Sequence, residues 1–428
     1  MSSLAVAPGR SARRFAPLER VAGSLLARNQ DLRRMLLAAL VSTCGDRLHQ
    51  VALAALIVGM TDSMASAGLI FVVSAVPYAL FGLPVGALVD RWNRRAAMIA
   101  ADVARGVLVL GIPLAAVVNL PLVYALLACL TCATMVFNPA RQAAIPELVA
   151  AEDLSSANTL FQAINYLVDV VTFPLAGVLV ALFIQQFGIQ RGTFVVFGVD
   201  AMSYLLSASL LIGLPIGRAE RTKVPAPLSQ LPGQVAEGLR FLRSHVTLRT
   251  NTILLTLGPL MLGSLHTLWI GFAWRVSDTG TFGYGLTETA NALGTLAGLW
   301  LLPRVLQRIN SGRAILLGFG VMGAAITLAG LSQSLPLVAG LAAVSGLGNM
   351  LFLVPSITLV QRQVPPALRG RVFAVRLMLT FGAFAVSNAL AGGLADSIGV
   401  SQLLLLLGCG MLLMAGAASF FASAREAV

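Results

Sequence analysis

The sequence predicts an all-α membrane protein whose 12 transmembrane helices form two pseudo-symmetric six-helix halves. Composition is the first reason: 57% of the 428 residues are hydrophobic and 11% are charged, whereas soluble domains carry roughly 25% charged residues. The second reason is a series of apolar runs, each long enough to cross a bilayer at about 20 residues per helix. The third reason is an internal repeat that relates the two halves of the chain.

The predicted spans follow the apolar runs along the chain. The first six cover about residues 35–60, 64–85, 96–118, 121–138, 157–184 and 193–215, and the second six cover about 252–274, 283–302, 313–332, 335–357, 372–394 and 400–422. The predicted domains are an N-terminal tail (1–34), an N-terminal six-helix bundle (35–215), a linker (216–250), a C-terminal six-helix bundle (251–422) and a C-terminal tail (423–428). The second half of the linker has the pattern of a short amphipathic helix at the membrane surface.

Three short matches relate the halves at nearly one offset. The matched positions are Gly86 with Gly298, Pro139 with Pro355, and Gly177 with Gly392, which are separated by 212, 216 and 215 residues. A single offset indicates parallel repeats, and in that architecture a substrate site lies near the membrane midplane between the halves.

The net charge of +12 comes mostly from arginines that cluster on one face. They precede the first span, follow the second, fourth, eighth and tenth spans, and fill the linker, whereas the opposite face has Arg191 and Arg275. The positive-inside rule therefore predicts that both termini and the linker are cytoplasmic. We expect this charge to set orientation and to contact membrane lipid, and we expect no nucleic-acid partner.

The loop between spans 2 and 3 contains the most informative motif. It reads GALVDRWNRR from Gly86 to Arg95, and Asp90 is followed by Arg91 and Arg94. The glycine lets two helices approach closely, and the carboxylate can cap a helix or pair with an arginine. The pattern G-x-L-x-D-R-x-x-R-R resembles the signature loop of the major facilitator superfamily of transporters.

Further stretches resemble one branch of that superfamily, which holds macrolide-efflux and enterobactin-exporter proteins and is related to the drug:proton antiporters. These stretches are residues 137–160, 360–375, 45–46, 200–204 and 348–349. The resemblance covers nearly the whole chain. It implies a proton-driven exporter of amphipathic small molecules (drugs, macrolides, siderophores or secondary metabolites) in a bacterial cytoplasmic membrane. We expect it to work as a monomer without a cofactor, with the proton gradient as its energy source.

The same resemblance predicts a conformational latch. Asp90 would meet the N-terminus of span 11, near Gly370 and Arg371, when the halves close on the cytoplasmic side. Asp102 and Arg105 are three residues apart in span 3, and we expect them to pair and to extend this cluster.

Span 5 departs from the antiporter pattern, which has Gly-Pro before its glycine. Here the segment reads Phe-Pro-Leu-Ala-Gly and ends at Gly177. Pro174 can still kink the helix, but the lost glycine weakens the specific resemblance to proton antiporters.

Coupling requires a group inside the membrane that binds a proton. A carboxylate in hydrocarbon is costly, so its presence favours a functional role, and desolvation favours its protonated form. The candidates are Asp46 in span 1, with His49 one turn later, Asp169 in span 5 and Glu288 in span 8. The alternatives are a structural hydrogen bond for Asp46, an arginine pair for Asp169 and solvation at the rim for Glu288.

Other polar residues give weaker signals. Arg47 is expected to point about 100° away from Asp46, Asp200 is expected to lie peripherally in span 6, and His266 is expected to form a hydrogen bond inside the bundle.

The sequence excludes several classes. It has no G-x-x-x-x-G-K-[ST] loop, no H-E-x-x-H and no paired Cys/His set, so we expect neither an ATP-driven pump nor an enzyme nor a metal site. Two alternatives to an exporter remain, because fold fixes neither direction nor substrate. One is an importer of a nutrient or a lysophospholipid flippase, and the other is a non-transporting membrane sensor.

Overall fold

The computed structural model describes residues 26–89, 92–150, 153–217 and 231–420. Five helices form the N-terminal half: α1 (Gln30–Thr61), α2 (Met64–Val89), α3 (Arg94–Val118), α4 (Leu120–Leu148) and α5 (Leu154–Leu211). Inside the 58-residue α5, Gly188 has φ 78° and ψ 168°, which are not helical values. Because glycine tolerates positive φ, the chain turns here, and α5 has two arms that correspond to predicted spans 5 and 6.

The C-terminal half begins with the amphipathic helix α6 (Leu231–Ser244). Predicted span 7 is a broken helix that consists of α7 (Val246–Leu262), α8 (Leu265–Gly271) and a π-helical turn (Phe272–Val276). The remaining helices are α9 (Gly280–Leu306), α10 (Ser311–Gly330), α11 (Leu335–Gln363), α12 (Pro366–Ile398) and α13 (Val400–Phe420).

Nine helical stretches in the described part of the chain are long and apolar enough to cross a membrane, with the two arms of α5 counted as one. The 32-residue α1 and the 27-residue α9 are also long enough, but α1 carries several charged residues and α9 is more polar. The predicted fold class is therefore confirmed, and the helices are consistent with 12 spans. Several helices are longer than predicted: α4 ends at Leu148 and α11 at Gln363, because helices continue past the hydrocarbon layer.

The two ends of the bundle differ in charge. We call one end the arginine-rich face, where α2 is followed by Arg94 and Arg95 and where α6 lies. α6 packs there against α12, in an apolar cluster that includes Leu242, Val360 and Val372. We call the other end the arginine-poor face, where α1 ends and α2 begins.

Glycines set the closest contacts between the two halves at the arginine-poor face. A Cβ atom on Gly392 of α12 would lie 2.6 Å from the carbonyl oxygen of Met64 and 2.7 Å from Cα of Ala65, both in α2. A Cβ on Gly68 of α2 would lie 2.7 Å from the carbonyl oxygen of Asn388. Only a residue without a side chain permits this approach, so α2 and α12 seal the two halves together here.

We predict that Gly392→Ala lowers the midpoint of thermal unfolding in detergent, because the added methyl group overlaps the α2 backbone and overpacking costs about 1–3 kcal/mol. Gly393→Ala is the matched control, since a Cβ atom there meets nothing within 4 Å. Equal melting midpoints for the two variants would contradict the close α2–α12 contact.

Candidate functional site

A cavity of about 580 Å³ lies between the two halves. Its walls come from α1, α2, α4 and α5 on one side and from α8, α9, α11 and α12 on the other. Cavities of roughly 300–1,000 Å³ accommodate drug-sized ligands. The cavity lies between the halves, as does the substrate site that the internal repeat predicts.

Helix α1 contributes four polar residues within one five-residue stretch to this cavity, since Asp46, Arg47, His49 and Gln50 all line it. Arg47, which is expected to point about 100° away from Asp46, also lines the cavity, and its Nε lies 2.6 Å from Oδ1 of Asp169. Neighbours 100° apart on a helix can both reach a wide cavity. The arginine alternative for Asp169 is therefore realised, and this pair ties α1 to the first arm of α5.

A second cluster joins α1 to the second arm of α5. His49 Nδ1 lies 2.6 Å from Oδ2 of Asp200, whose side chain is fully buried. The Tyr204 hydroxyl donates a hydrogen bond to Asp46 at 2.5 Å. A Cβ atom on Gly45 would lie 2.0 Å from Oδ1 of Asp200, so glycine allows the helices to approach. Asp200 thus bonds to a residue of the cavity wall, although its own side chain does not line the cavity.

One donor atom from each of Asp46, His49 and Asp200 lies within 4.8 Å of the other two. These are donor types that transition metals use. The donors already satisfy one another, however, because His49 binds Asp200 and Asp46 accepts from Tyr204. We therefore do not assign the cluster to a metal.

The C-terminal half contributes a matching pair. His266 Nδ1 lies 2.7 Å from Oε1 of Glu288, and the glutamate side chain is 4% exposed. Glu288 is therefore buried, and its alternative as a solvated rim residue is wrong. The ring of Phe71 from α2 stacks on His266 with centroids 5.4 Å apart, so this pair lies where the two halves meet.

A hydrogen bond joins the two halves beside the cavity: Gln50 Nε2 donates to the hydroxyl of Tyr284 in α9 at 3.2 Å. Tyr284 is fully buried. Because Gln50 follows His49 directly, this bond links the N-terminal cluster to the C-terminal half.

Asp102 and Arg105 form the expected pair within α3, and both are buried. Ser207 donates to Asp102 at 2.7 Å, and the Arg105 guanidinium lies over the Tyr204 ring at 4.5 Å. The pair therefore lies behind the cluster of Asp46, His49 and Asp200, outside the cavity wall.

The signature loop is described in part. Asp90 and Arg91 lie outside the described residues, and Gly86 lies within α2.

The arginines that follow the loop bind within their own half. Arg94 pairs with Glu147 of α4, and Arg95 donates to the carbonyl oxygen of Leu214 at 2.8 Å. In the C-terminal half, Arg371 of α12 pairs with Glu237 of α6, and a Cβ atom added to Gly370 would meet nothing within 4 Å.

Sequence reasoning missed a seal at the arginine-poor face. Asp396 of α12 accepts hydrogen bonds from the backbone N–H groups of Met64 and Ala65 at 3.0 and 2.9 Å, and from the Ser63 hydroxyl at 2.9 Å. Arg275 lies 2.7 Å from Asp396 and donates to the carbonyl oxygen of Asp62 at 2.6 Å. A carboxylate from one half thus caps a helix of the other. The sequence offered one signal for this seal, which is that charged residues are rare on this face.

The two supporting residues of span 5 lie near the same face. The Thr281 hydroxyl of α9 donates to the carbonyl oxygen of Gly177 at 3.0 Å. A Cβ atom on Gly177 would lie 2.8 Å from the Thr281 carbonyl oxygen, so glycine lets α5 and α9 touch. Pro174 lies inside α5 less than one turn earlier.

Residues 24–427 match the family model for transmembrane secretion effectors. The chain is 28% identical over 388 residues to the multidrug efflux pump Tap of Mycobacterium tuberculosis, a match that covers 87% of this chain and 89% of Tap. Among solved structures, a transporter of the POT family in complex with 5-aminolevulinic acid has a TM-score of 0.75 at 13% identity, covering 93% of this chain and 97% of that one. A bacterial homologue of the human lysosomal transporter Spinster, in an inward-facing and occupied conformation, has a TM-score of 0.71 at 15% identity, covering 92% and 97%.

Fold, cavity and family model define a transporter of the major facilitator superfamily. Within it, the chain belongs to the transmembrane secretion effector family. The predicted superfamily is confirmed, and the protein is a multi-pass membrane transporter of small molecules and not an enzyme.

We predict that the Arg47–Asp169 pair is energetically coupled. Arg47→Gln and Asp169→Asn each leave one charge without its partner, whereas the double variant leaves none. The double variant should therefore lose less stability to thermal unfolding than the sum of the losses in the two single variants. The difference, which is the coupling energy, should be roughly 0.5–3 kcal/mol. The more exposed Arg371–Glu237 pair is the control, where we expect about 1 kcal/mol or less. Additive effects at Arg47 and Asp169 would contradict the pairing.

Proposed function

We propose that this transporter is a proton-coupled exporter of amphipathic small molecules, such as drugs, macrolides, siderophores or secondary metabolites, and that it works by alternating access. The observation that carries the proposal is the cavity between the halves, because three carboxylates line it: Asp46, Asp169 and Glu288. Intramembrane carboxylates are rare and favour a role in ion or proton movement. The similarity to a protein named as a multidrug efflux pump supports export.

The cavity wall combines charged and aromatic groups. Tyr78 of α2 and Phe381 of α12 stack with centroids 4.8 Å apart, one ring from each half. Phe173 lies beside the Arg47–Asp169 pair, with the guanidinium 5.4 Å from its ring centre. Such a wall suits a ligand with an apolar body and a polar or cationic group.

The three carboxylates that line the cavity differ in the side chains beside them. Asp169 is neutralised by an arginine, which stays protonated, so its proposed role is to respond to substrate by exchanging Arg47 for a ligand group. Asp46 and Glu288 lie beside histidines, which can gain and lose a proton, and their proposed role is proton coupling. The energy source is the proton gradient, and no cofactor is required.

The proposed orientation places the arginine-rich face in the cytoplasm of a bacterial cell. Both termini and α6 then lie on the cytoplasmic side of the inner membrane, and the arginine-poor face is external. Exposed apolar side chains such as Val118, Trp300 and Leu413 would contact lipid. We propose that the monomer is the transporting unit, since one chain supplies both walls of the cavity.

In this orientation the structure corresponds to a state that is sealed on its external face. The external seal is the Asp396 cap on α2 together with Arg275. The latch at Asp90 would act in the opposite state, when α2 and α12 approach at the cytoplasmic face. Arg371 would then exchange Glu237 for Asp90 near Gly370, and a carboxylate at a helix N-terminus contributes about 0.3–1 kcal/mol.

Asp396 and Asp90 should stabilise opposite states of the transporter, one closed on the external face and the other closed on the cytoplasmic face. We predict that Asp396→Asn raises, and Asp90→Asn lowers, the rate at which an impermeant maleimide outside intact cells labels a cysteine at Ser74, which lines the cavity. The background lacks the four native cysteines. Asp278→Asn is the control, because it removes an exposed charge on the same face as Asp396 and lies outside the cavity. Rates that shift in the same direction for both variants would contradict the pair of opposed seals.

Export is tested by efflux from cells of a transporter-depleted bacterium that express this chain. We predict uncoupler-sensitive extrusion of at least one member of a panel of fluorescent cations, macrolides and catechol chelators. Asp46→Asn and Asp169→Asn should reduce extrusion about tenfold or more, and Asp278→Asn should retain it, at equal amounts of protein in the membrane. Accumulation instead of extrusion, or extrusion that an uncoupler leaves unchanged, would overturn the proposal.

A further inference from the structure

The N-terminal half contains two fully buried aspartates with nearly the same surroundings and one difference. Asp102 and Asp200 are each 0% exposed. Each accepts a hydrogen bond from a serine: Ser207 donates to Asp102 at 2.7 Å and Ser203 to Asp200 at 3.2 Å. They differ in the cationic partner, which is Arg105 for Asp102 and His49 for Asp200.

This difference decides which aspartate can carry a proton. An arginine is effectively always protonated, so the Asp102–Arg105 pair is neutral without any change of protonation. Histidine titrates near physiological pH, so the His49–Asp200 pair is neutral only when it holds one extra proton. A buried pair with a net negative charge is costly, and the pair therefore favours binding a proton when it is closed off from water.

The charges around the His49–Asp200 pair also favour the binding of a proton there. Asp46 of α1 is the other carboxylate in the cluster, and its negative charge favours proton binding by the pair. Two arginines lie close, but each already has a carboxylate partner: Arg47 pairs with Asp169 and Arg105 with Asp102. Among the described residues, the cluster of Asp46, His49 and Asp200 has no arginine ion pair of its own.

The cluster is accessible from the cavity, and it is also linked to the C-terminal half. Asp46 and His49 line the cavity, whereas Asp200 does not, and the His49 side chain is 13% exposed. A proton can therefore pass from cavity water through His49 to Asp200. The next residue, Gln50, bonds to Tyr284 of the other half, so a change at His49 acts directly on the contact between the halves.

We propose that Asp200, shared with His49, is the buried proton-binding site of this transporter, and that Asp46 is its contact with the cavity. This inference deepens the proposed proton coupling and rests on it for its role in transport. Asp102 is the structural counterpart, because its partner Arg105 stays charged.

The test is infrared difference spectroscopy on the purified full-length protein in lipid while the pH is changed. It measures the carbonyl stretch of protonated carboxyl groups and needs no substrate. We expect a titrating carboxyl band in the wild-type protein, a loss of at least half of its area in Asp200→Asn, and an unchanged band in Asp102→Asn. Asp200→Glu, which keeps the carboxyl group, should move the band without removing it. His49→Gln should shift the pH at which the band titrates.

A wild-type protein with no titrating buried carboxyl band would overturn the proposal. So would a band that Asp200→Asn leaves intact, or one that Asp102→Asn removes. Folding of each variant is checked by its elution in size-exclusion chromatography, and Asp200→Glu keeps the test decisive if Asp200→Asn is unstable. Because the measurement contains no transport step, its failure is distinguishable from a failure of uncoupler-sensitive efflux, which would leave the band unaffected.

Discussion

The cost of holding a charged side chain inside the membrane organises this transporter. The N-terminal half meets that cost in two ways. Arginine neutralises Asp102 and Asp169 permanently, whereas histidine neutralises Asp200 conditionally. The C-terminal half repeats the conditional arrangement with His266 and Glu288. The Arg47–Asp169 pair joins two helices, and its arginine stays charged, whereas the histidines of the other two pairs can gain and lose a proton. The cavity lies between the two conditional pairs, so any ligand within it lies close to both groups that can change charge.

The helix contacts determine where these pairs form. Gly45 lets α1 approach the second arm of α5 until Asp200 reaches His49, and Arg47 on the same helix reaches the first arm. Helix α1 therefore contacts both arms of α5 and, through Gln50, also the C-terminal half. At the arginine-poor face, Gly392 and Asp396 close the halves by packing and by capping, respectively. These contacts lie at the end of the bundle, so they can break without disturbing the pairs near the middle.

The fold was predictable from the sequence because hydropathy, arginine distribution and the repeated glycine and proline positions are global signals. The candidate carboxylates Asp46, Asp169 and Glu288 were predictable as well, since charges are conspicuous in apolar runs. The identity of their partners was not predictable. An arginine was an alternative for Asp169, but that it is Arg47, and that His49 pairs with Asp200, depends on which helix faces meet, and this follows from close approaches such as that at Gly45. The Asp396 seal was missed because it lies at a helix end, where charges are usually solvated.

The central claim is that the halves move against each other around the cavity, so that one face opens as the other closes. Spin-label distances in lipid nanodiscs test it most directly, with one pair at Gln186 and Gln333 on the arginine-poor face and another at Trp92 and Arg308 on the arginine-rich face, all exposed positions. As the pH is lowered, the account predicts that one distance distribution lengthens while the other shortens. Distances that stay fixed, or that change in the same direction on both faces, would contradict it.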